Sequence, residues 1–376
     1  MVAFSKPTQN FLFQQSSTVW ACGEGPAASV TIFFGIPVLL GLITLGLFIN
    51  GTLMRIGPKI FCLMKTGMAL LFFTTLAAAQ PFTIAHRGAS GYVPEHTREA
   101  KVMAHAMGAE FIEQDVVLSK DDVPVVLHDI HLDTTSDVAM RFPGRKRADG
   151  RYYALDFTLL ELRQLSMHER MDHQTGKPPY PNRFPATTGG FRILTLDEEL
   201  EVIAGLNRST GRVAGIYPEI KQPAWHRKEG RDISSMVLRV LVKHGYTSKE
   251  HACYLQCFEY AELKRLRHEL GWKGRLIFLA GNKTKISLAE LAKVVDGIGP
   301  SIGAIVSGTQ VTDLTSRAHA FGLEVHPYTL RVDDLPKGIQ TSDELMRLLV
   351  DEAKVDAVFT DFPDVTVNWL KKAGRP

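Results

Sequence analysis

Short apolar segments alternate with amphipathic segments from residue 82 to residue 360. The apolar segments have the length and composition of buried strands, and the intervening segments have the periodicity of helices. The predicted strands are 82–86, 110–117, 214–220, 252–258, 275–279, 297–300, 324–328 and 357–360. Repeated strand–helix units of this number predict the α/β class and, within it, a TIM (β/α)8 barrel.

Glycines mark the expected ends of several helices between these strands. The predicted helices 98–107, 233–244, 260–270 and 316–321 are each followed directly by a glycine, which suits a C-terminal cap. The chain of 376 residues also has enough material for a large core.

The connection from residue 130 to residue 212 is too long for an ordinary barrel loop. It follows the third strand-like segment, 123–127, and contains a basic, aromatic stretch at 141–147 and a proline-rich turn at 178–185. A capping box formed by Thr195 and Glu198 then predicts the start of a further helix. We interpret the first part of this connection as an insertion beside the barrel mouth, either covering a bound molecule or serving as scaffold.

Two predicted strands carry a pair of charged residues near one end. One pair consists of two carboxylates, and the other of a carboxylate and a lysine. Glu113 and Asp115 are two residues apart and project from one face of their strand, and Glu219 and Lys221 have the same spacing. Gathered carboxylates need a cation or a proton to offset their repulsion, and ligation by oxygen alone selects calcium or magnesium over zinc. Glu113, Asp115 and Glu219 are therefore the predicted metal ligands, with a solvated face or a salt bridge as the ordinary alternative.

Two histidines are predicted to lie beside these carboxylates. His86 ends the first strand, and the polar turn 119–122 predicts a hairpin whose second strand, 123–127, carries His128 back towards the metal ligands. Histidines titrate near neutral pH, so this pair could supply one general base and one general acid. The sequence does not say which histidine has which role.

Arg87 and Lys221 are the predicted anion-binding cations. The planar fork of donors on Arg87 suits an anionic group such as a phosphate, and Lys221 would add a point charge. Their alternative role is to form salt bridges with the predicted metal ligands.

Six motifs, in order along the chain, carry a family resemblance. They are HRGASGYVPEHT, EQDVVLSKDDVPVVLHD, YPEIK, YLQCF, HPYTLR and FTDFPD. Over residues 82–370 the chain resembles the glycerophosphodiester phosphodiesterase family, in particular its periplasmic bacterial branch within the phospholipase C-like superfamily. Many members have asparagine where His96 stands, so no catalytic task is assigned to His96.

The resemblance implies a function and a cofactor. The expected reaction is the cleavage of glycerophosphocholine, glycerophosphoethanolamine and similar diesters to sn-glycerol 3-phosphate and an alcohol, with calcium preferred to magnesium. Phe258, Tyr328 and Asp361 fall at strand ends, where an aromatic wall and an acceptor could hold glycerol hydroxyls; core or supporting duty is the alternative. The rival functions are a phospholipase D-like enzyme acting on intact lipid and a non-catalytic surface-binding protein.

Charge and cysteine content exclude other classes. The formal net charge of +3 is confined to residues 1–79, and the remainder is neutral overall, which argues against a nucleic-acid partner. Cys22, Cys62, Cys253 and Cys257 have no metal-binding spacing and form no disulfide framework. The last two are predicted to be core side chains.

The amino-terminal region carries two apolar stretches. Lys65, the apolar stretch 68–76 and three alanines ending at Ala79 have the regions of a secretory signal peptide, with cleavage before Gln80. Upstream, residues 30–49 are uncharged and long enough to span a bilayer.

Two interpretations reconcile these stretches. In the first, translation begins at Met54 or Met64, residues 1–53 are an over-extended start and residues 54–79 are the signal peptide. In the second, residues 30–49 are a genuine membrane anchor. Both interpretations place the domain 80–376 outside the cytoplasm, in the periplasm or secreted. Oligomeric state is not predicted.

Overall fold

The computed structural model describes residues 46–49, 52–55, 80–186, 189–281 and 285–375. The chain divides into the units Met1–Ala78 and Ala79–Pro376. In the first unit, strand β1 (Gly46–Ile49) pairs antiparallel with strand β2 (Thr52–Arg55). The remainder of the predicted signal peptide and of the predicted anchor lies outside the described residues. Among the residues that are described, no helix has both the length and the apolar character needed to cross a bilayer.

The second unit is built around a parallel sheet. Its strands are β3 (Phe82–Ala85), β4 (Phe111–Leu118), β5 (Pro124–Val126), β6 (Gly215–Ile220), β7 (Tyr254–Cys257), β8 (Arg275–Ala280), β9 (Gly297–Pro300), β10 (Val306–Ser307), β11 (Gln310–Val311), β12 (Glu324–Val325) and β13 (Ala357–Thr360). The parallel strands follow the order β12-β9-β8-β7-β6-β4-β3-β13, while β5 pairs antiparallel with β4 and β10 with β11.

Backbone hydrogen bonds close this sheet into a ring. The amide of Asp356 donates to the carbonyl of Val325 at 3.0 Å, and the amide of Phe359 donates to the carbonyl of Pro327 at 3.0 Å. These bonds join the chain at and after β12 to β13. The predicted TIM barrel is therefore confirmed.

Helices surround the barrel or lie in its long connections. They are α1 (Arg98–Met107), α2 (Val138–Arg141), α3 (Leu159–Leu162), α4 (Leu196–Thr210), α5 (Pro223–Lys228), α6 (Ile233–Lys243), α7 (Tyr260–His268), α8 (Leu288–Leu291), α9 (Ile302–Ile305), α10 (Leu314–His319), α11 (Ser342–Met346) and α12 (Pro363–Lys372). The predicted capping box at α4 is confirmed, since the Thr195 hydroxyl accepts from the Glu198 amide at 3.1 Å and the Glu198 carboxylate accepts from the Thr195 amide at 3.0 Å.

Large side chains fill the barrel interior. Tyr217 is fully buried there, its ring stacks on that of Tyr254, and its hydroxyl lies 2.7 Å from His326 Nδ1. Cys253 and Cys257 are buried and free, as predicted for core side chains.

The long connection has two structurally distinct parts. Residues 130–193 contribute to a separate small core that includes Leu132, Phe157 and Met167. Helix α4, in contrast, buries Leu200 in the main core and packs on α1, so it belongs to the helical layer of the barrel. The ends of the insertion meet beside β5, because the Val126 amide donates to the Leu194 carbonyl at 2.9 Å.

One predicted strand is too long. The prediction 324–328 becomes the two-residue strand β12, because the pairing with β9 covers only Glu324 and Val325. Pro327 has no amide hydrogen with which to continue a ladder. The other predicted barrel strands agree with the structure to within two residues at each end.

Candidate active site

Strand register brings the predicted metal-binding carboxylates together. In the parallel pairing of β4 with β6, Asp115 lies opposite Glu219. Glu113 precedes Asp115 by two residues and shares its face of the strand. Ligand oxygens of the three carboxylates all lie within 4.8 Å of one another, and all three residues are buried.

This crowding shifts the pKa of each carboxyl group. Burial, reinforced by Asp115, raises the pKa of Glu113 well above its usual range. Burial also raises the pKa of Glu219 to about 8, although Lys221 opposes the rise. For Asp115, burial is outweighed by Lys221 and His96, which hold its pKa well below its usual range. With a pKa of about 8, Glu219 is largely protonated at neutral pH when no cation is bound.

The cluster fits a hard divalent cation. Asp115 Oδ1 is buried and accepts no hydrogen bond from any residue that the structure describes. The Lys221 ammonium lies 3.7 Å from this oxygen and 2.8 Å from Glu219 Oε1. Three carboxylates, one of them with a buried oxygen that accepts no hydrogen bond from the described residues, form the kind of oxygen-rich donor set that calcium and magnesium prefer.

Each predicted catalytic histidine is held by an aspartate. His86 Nδ1 lies 2.5 Å from Asp361 Oδ1, and His128 Nδ1 lies 2.7 Å from Asp129 Oδ1. A carboxylate partner assigns the proton to Nδ1 and leaves Nε2 available to a substrate. Burial, together with the charge of Arg87, lowers the pKa of each histidine to about 4. Both rings are therefore neutral at pH 7 before an anion binds.

Arg87 is placed by an unusual backbone conformation. Its φ of 57° lies in the left-handed region, and its amide donates to Glu113 Oε2 at 2.8 Å. The next residue, Gly88, has a φ of 88°, and a Cβ there would lie 2.7 Å from the carbonyl carbon of Ala100. The guanidinium donates to Glu95 at 2.8 Å, while Arg87 Nε has no hydrogen-bond partner among the described residues. That nitrogen lies 3.6 Å from Asp115 Oδ2, and the arginine lines both cavities described below, beside the space that a ligand would occupy.

Two cavities meet at the histidines. The carboxylate cavity, about 330 Å³, is lined by Lys221, Phe258 and the carboxylate cluster of Glu113, Asp115 and Glu219. The insertion cavity, about 220 Å³, is lined by Tyr180 and Arg183 among other residues. The residues that line both cavities are His86, Arg87, His128 and Arg331. A diester bound across this boundary would extend into both cavities.

The three weaker substrate-binding candidates lie in different surroundings. Phe258 and Tyr328 line the carboxylate cavity with ring centroids 6.0 Å apart, and Phe258 is 44% exposed. Asp361 lines the insertion cavity, but its oxygens already accept hydrogen bonds from Arg183 and Arg331 besides contacting His86. Substrate contact by all three remains a prediction, and the structure gives Asp361 a clear supporting task.

Sequence reasoning missed the residues that support the site from behind. Gln256 donates to Glu113 Oε1 at 2.9 Å, and the fully buried Lys101 donates to the Glu113 carbonyl. Arg170 and Arg183, both in the insertion, contact the aspartates that hold the histidines. The position of Gln256 in the YLQCF strand could have indicated its role, but no periodic pattern marks the arginines.

The glycerophosphoryl diester phosphodiesterase family matches residues 86–365. The chain belongs to this family. A glycerophosphodiester phosphodiesterase of Haemophilus influenzae is 41% identical over 324 residues, covering 77% of this chain and 89% of the relative. The one of Treponema pallidum is 36% identical over 353 residues, covering 84% of this chain and 99% of the relative. The protein is accordingly a phosphodiester hydrolase of this class.

Solved structures share the fold. A Silicibacter pomeroyi protein, provisionally named as a glycerophosphoryl diester phosphodiesterase, has a TM-score of 0.63 at 22% identity and covers 79% of this chain and 95% of its own. An Oleispira antarctica phosphodiesterase, solved with the product sn-glycerol-3-phosphate, has a TM-score of 0.55 at 22% identity, covering 78% of this chain and 97% of its own. The enzyme therefore has the barrel of its relatives.

Proposed function

We propose that the enzyme hydrolyses glycerophosphodiesters such as glycerophosphocholine and glycerophosphoethanolamine to sn-glycerol 3-phosphate and the free alcohol, with His86 and His128 as its acid–base pair. The observation that carries this proposal is the position of both histidines, with Arg87, at the boundary of the two cavities. The product complex of the Oleispira antarctica phosphodiesterase supports the identity of the product.

The proposed roles follow from where each donor and acceptor lies. Arg87 would grip the phosphodiester from the wall that the two cavities share, and Lys221 would add positive charge from the β6 side. One histidine, neutral before binding, would accept the proton of the nucleophile. The other would protonate the departing alcohol, because an anionic phosphodiester beside an imidazole raises its pKa and lets it take up a proton.

Glu113, Asp115 and Glu219 would hold a divalent cation, for which we propose calcium in preference to magnesium. When bound, the cation offsets the charge of the phosphoryl oxygens and so makes the phosphorus easier to attack. The crowding of the three carboxylates and the unpartnered Asp115 oxygen support this assignment.

The cavity walls suggest how the substrate is oriented. Phe258 and Tyr328 give the carboxylate cavity an aromatic side on which the carbon atoms of glycerol would pack. The alcohol would then occupy the insertion cavity. That cavity holds about 220 Å³ and is lined largely by charged and polar residues, which favours a small polar head group over the acyl chains of an intact lipid.

We further propose that the enzyme acts in the periplasm or after secretion, as the mature domain 80–376, because the residues before Gln80 have the pattern of a signal peptide.

A substrate panel tests the proposed reaction. Release of sn-glycerol 3-phosphate would be measured from several glycerophosphodiesters and from a diacyl phospholipid, with and without chelator. We expect turnover of the deacylated diesters and its loss in excess chelator. Preferential cleavage of the intact lipid would favour the phospholipase D-like rival, and binding without turnover would favour the non-catalytic one.

A further inference from the structure

We propose that two arginines of the insertion, Arg170 and Arg183, are positioning residues that hold the catalytic histidines in their working orientation through the aspartates to which those histidines are bonded. The inference rests on the acid–base roles proposed above for His86 and His128. It gives the insertion a task in catalysis in addition to forming one wall of a cavity.

The first of the two chains of contacts runs from the insertion to His128. Arg170 Nη1 donates to Asp129 Oδ2 at 2.7 Å, and the other oxygen of Asp129 lies 2.7 Å from His128 Nδ1. The two carboxylate oxygens thus have different partners, one a fixed cation and one the imidazole. An aspartate anchored in this way fixes both the tautomer and the ring plane of its histidine.

The same arginine also holds the group that fixes Arg87. Arg170 Nε and Nη2 donate to Glu95 at 2.9 and 2.5 Å in a bidentate pair. Glu95 in turn accepts from Arg87 at 2.8 Å. Arg170 therefore supports both His128, through Asp129, and Arg87, through Glu95.

The second chain of contacts runs to His86. Arg183 Nη2 donates to Asp361 Oδ2 at 2.7 Å, and Asp361 Oδ1 lies 2.5 Å from His86 Nδ1. Arg183 also makes a bidentate pair with Asp333, at 2.8 and 3.0 Å, and its side chain is only 5% exposed. The insertion is thereby attached to the segment that follows β12.

The two aspartates differ in how much further support they have. Asp361 Oδ2 also accepts from Arg331 at 2.9 Å, so the loss of Arg183 leaves one arginine in place. Asp129 Oδ2 accepts otherwise only from the Thr134 hydroxyl, at 3.1 Å, among the described residues. The Arg170 contact is therefore the less replaceable one.

Kinetics of three matched variants test the proposal. Arg170→Gln should lower kcat by about tenfold or more, comparable with the 10- to 100-fold loss that follows removal of an outer-shell partner of a metal-binding histidine. Arg183→Gln should lower kcat less, by roughly threefold, because Arg331 remains. The control is Arg151→Gln: Arg151 makes a bidentate pair with Asp133 elsewhere in the insertion, and its side chain is 20% exposed, as is that of Arg170. It should leave kcat unchanged.

A double-mutant cycle separates positioning from a general effect on the fold. If Arg170 acts on His128 through Asp129, Arg170→Gln should lower kcat by a smaller factor in the Asp129→Asn variant than in the native enzyme, with the remaining loss due to its contact with Glu95. Arg170→Lys keeps the charge but cannot donate to two carboxylates in one plane, so we expect a normal Tm with a lowered kcat. Multiplicative losses in the cycle, or full kcat in Arg170→Lys, would overturn the proposal.

A spectroscopic measurement gives a readout that does not depend on turnover. Long-range ¹H–¹⁵N spectra of the imidazoles should find His128 with its proton on Nδ1 in the native enzyme and a mixture of tautomers in Arg170→Gln. An unchanged His128 signal would overturn the proposal. The variant His128→Ala separates the acid–base role of His128 from the positioning role of Arg170. If His128→Ala keeps near-normal kcat, the proposed reaction mechanism fails. If His128→Ala is inactive while Arg170→Gln is fully active, only the positioning role is rejected.

Discussion

The Lys221 ammonium lies 2.8 Å from Oε1 of Glu219, a residue whose carboxyl pKa is nevertheless raised to about 8. Burial and the charge of Asp115 outweigh the lysine at this position. Glu219 is thus a proposed metal ligand that still carries a proton at neutral pH when no cation is bound.

Calcium binding should therefore release protons. Because carboxyl groups must ionise to bind a metal, the apparent affinity for calcium should rise between pH 6 and pH 8, by up to about tenfold per pH unit for each proton released. The part of the rise that is due to Glu219 should flatten above pH 8, where this carboxyl group is ionised before binding. Titration calorimetry in two buffers of different ionisation enthalpy counts the protons. An affinity independent of pH over this range would contradict the assignment of Glu219.

Each histidine should matter greatly for turnover. His86→Ala and His128→Ala should each lose about 10²- to 10⁴-fold in kcat, the usual contribution of general acid–base catalysis, while the Tm changes little. His173→Ala is the control, since His173 also contacts an aspartate, Asp133, at 3.1 Å but lies 45% exposed in the insertion. Near-normal kcat in either catalytic variant would remove that histidine from the mechanism.

Glu169 should make stability depend on pH. It lines the insertion cavity, is 4% exposed, and burial, reinforced by Glu95, raises its pKa to about 7. A folded-state pKa above the unfolded value means that the native state binds more protons, so this residue lowers stability as the pH rises from about 4.5 to about 7. The neutral variant Glu169→Gln avoids that loss.

The quantity to compare is the free energy of unfolding of Glu169→Gln minus that of the native protein. This difference should be larger at pH 8 than at pH 5 by on the order of 2 kcal/mol. Urea unfolding at the two pH values gives the difference directly. A gap between variant and native protein that stays constant with pH would show that Glu169 ionises normally.

The route of bond cleavage can be tested with one substrate analogue. Glycerophosphodiesters carry a hydroxyl beside the phosphorylated carbon, and holding it near phosphorus favours intramolecular attack, with one histidine removing its proton and the other protonating the alcohol. The product would be a 1,2-cyclic glycerol phosphate that water then opens. The 2-deoxy analogue should bind but turn over very poorly. Rapid hydrolysis of that analogue would instead establish attack by water.

Processing of the amino terminus is a separate prediction. The mature protein should begin at Gln80, with its glutamine free or cyclised to pyroglutamate, because Ala79 ends a small-residue cleavage site. Mass spectrometry of the amino-terminal peptide checks this directly. Recovery of residues 30–49 on the mature protein would support the membrane anchor.

The barrel and the carboxylate cluster could be predicted because both depend on regular patterns. Buried strands and glycine-capped helices set the order of the units, and parallel strands bring their carboxyl ends to one edge. Once β4 and β6 are neighbours, Asp115 and Glu219 must lie close together. The position of His128 beside these carboxylates could be predicted too, because the polar turn between β4 and β5 indicates a hairpin that brings the chain back.

The supporting residues could not be predicted because they depend on irregular chain. Arg170 and Arg183 lie outside helices and strands, so no spacing states which carboxylate each one reaches. Asp361 was placed correctly at a strand end, but its contacts with Arg183 and Arg331 come from segments remote in sequence. Tertiary contacts of this kind become visible only when the path of the connections is known.

The meeting of the insertion's two ends beside β5, at Val126 and Leu194, has a consequence for how such enzymes can diverge. A chain excursion that leaves and returns at adjacent points places no strain on barrel closure, so its length and sequence can change with little effect on the ring. Exchange of this segment between relatives is therefore a practical route to chimeric enzymes with altered head-group choice. A transplanted segment would need to bring with it an arginine that reaches Asp129.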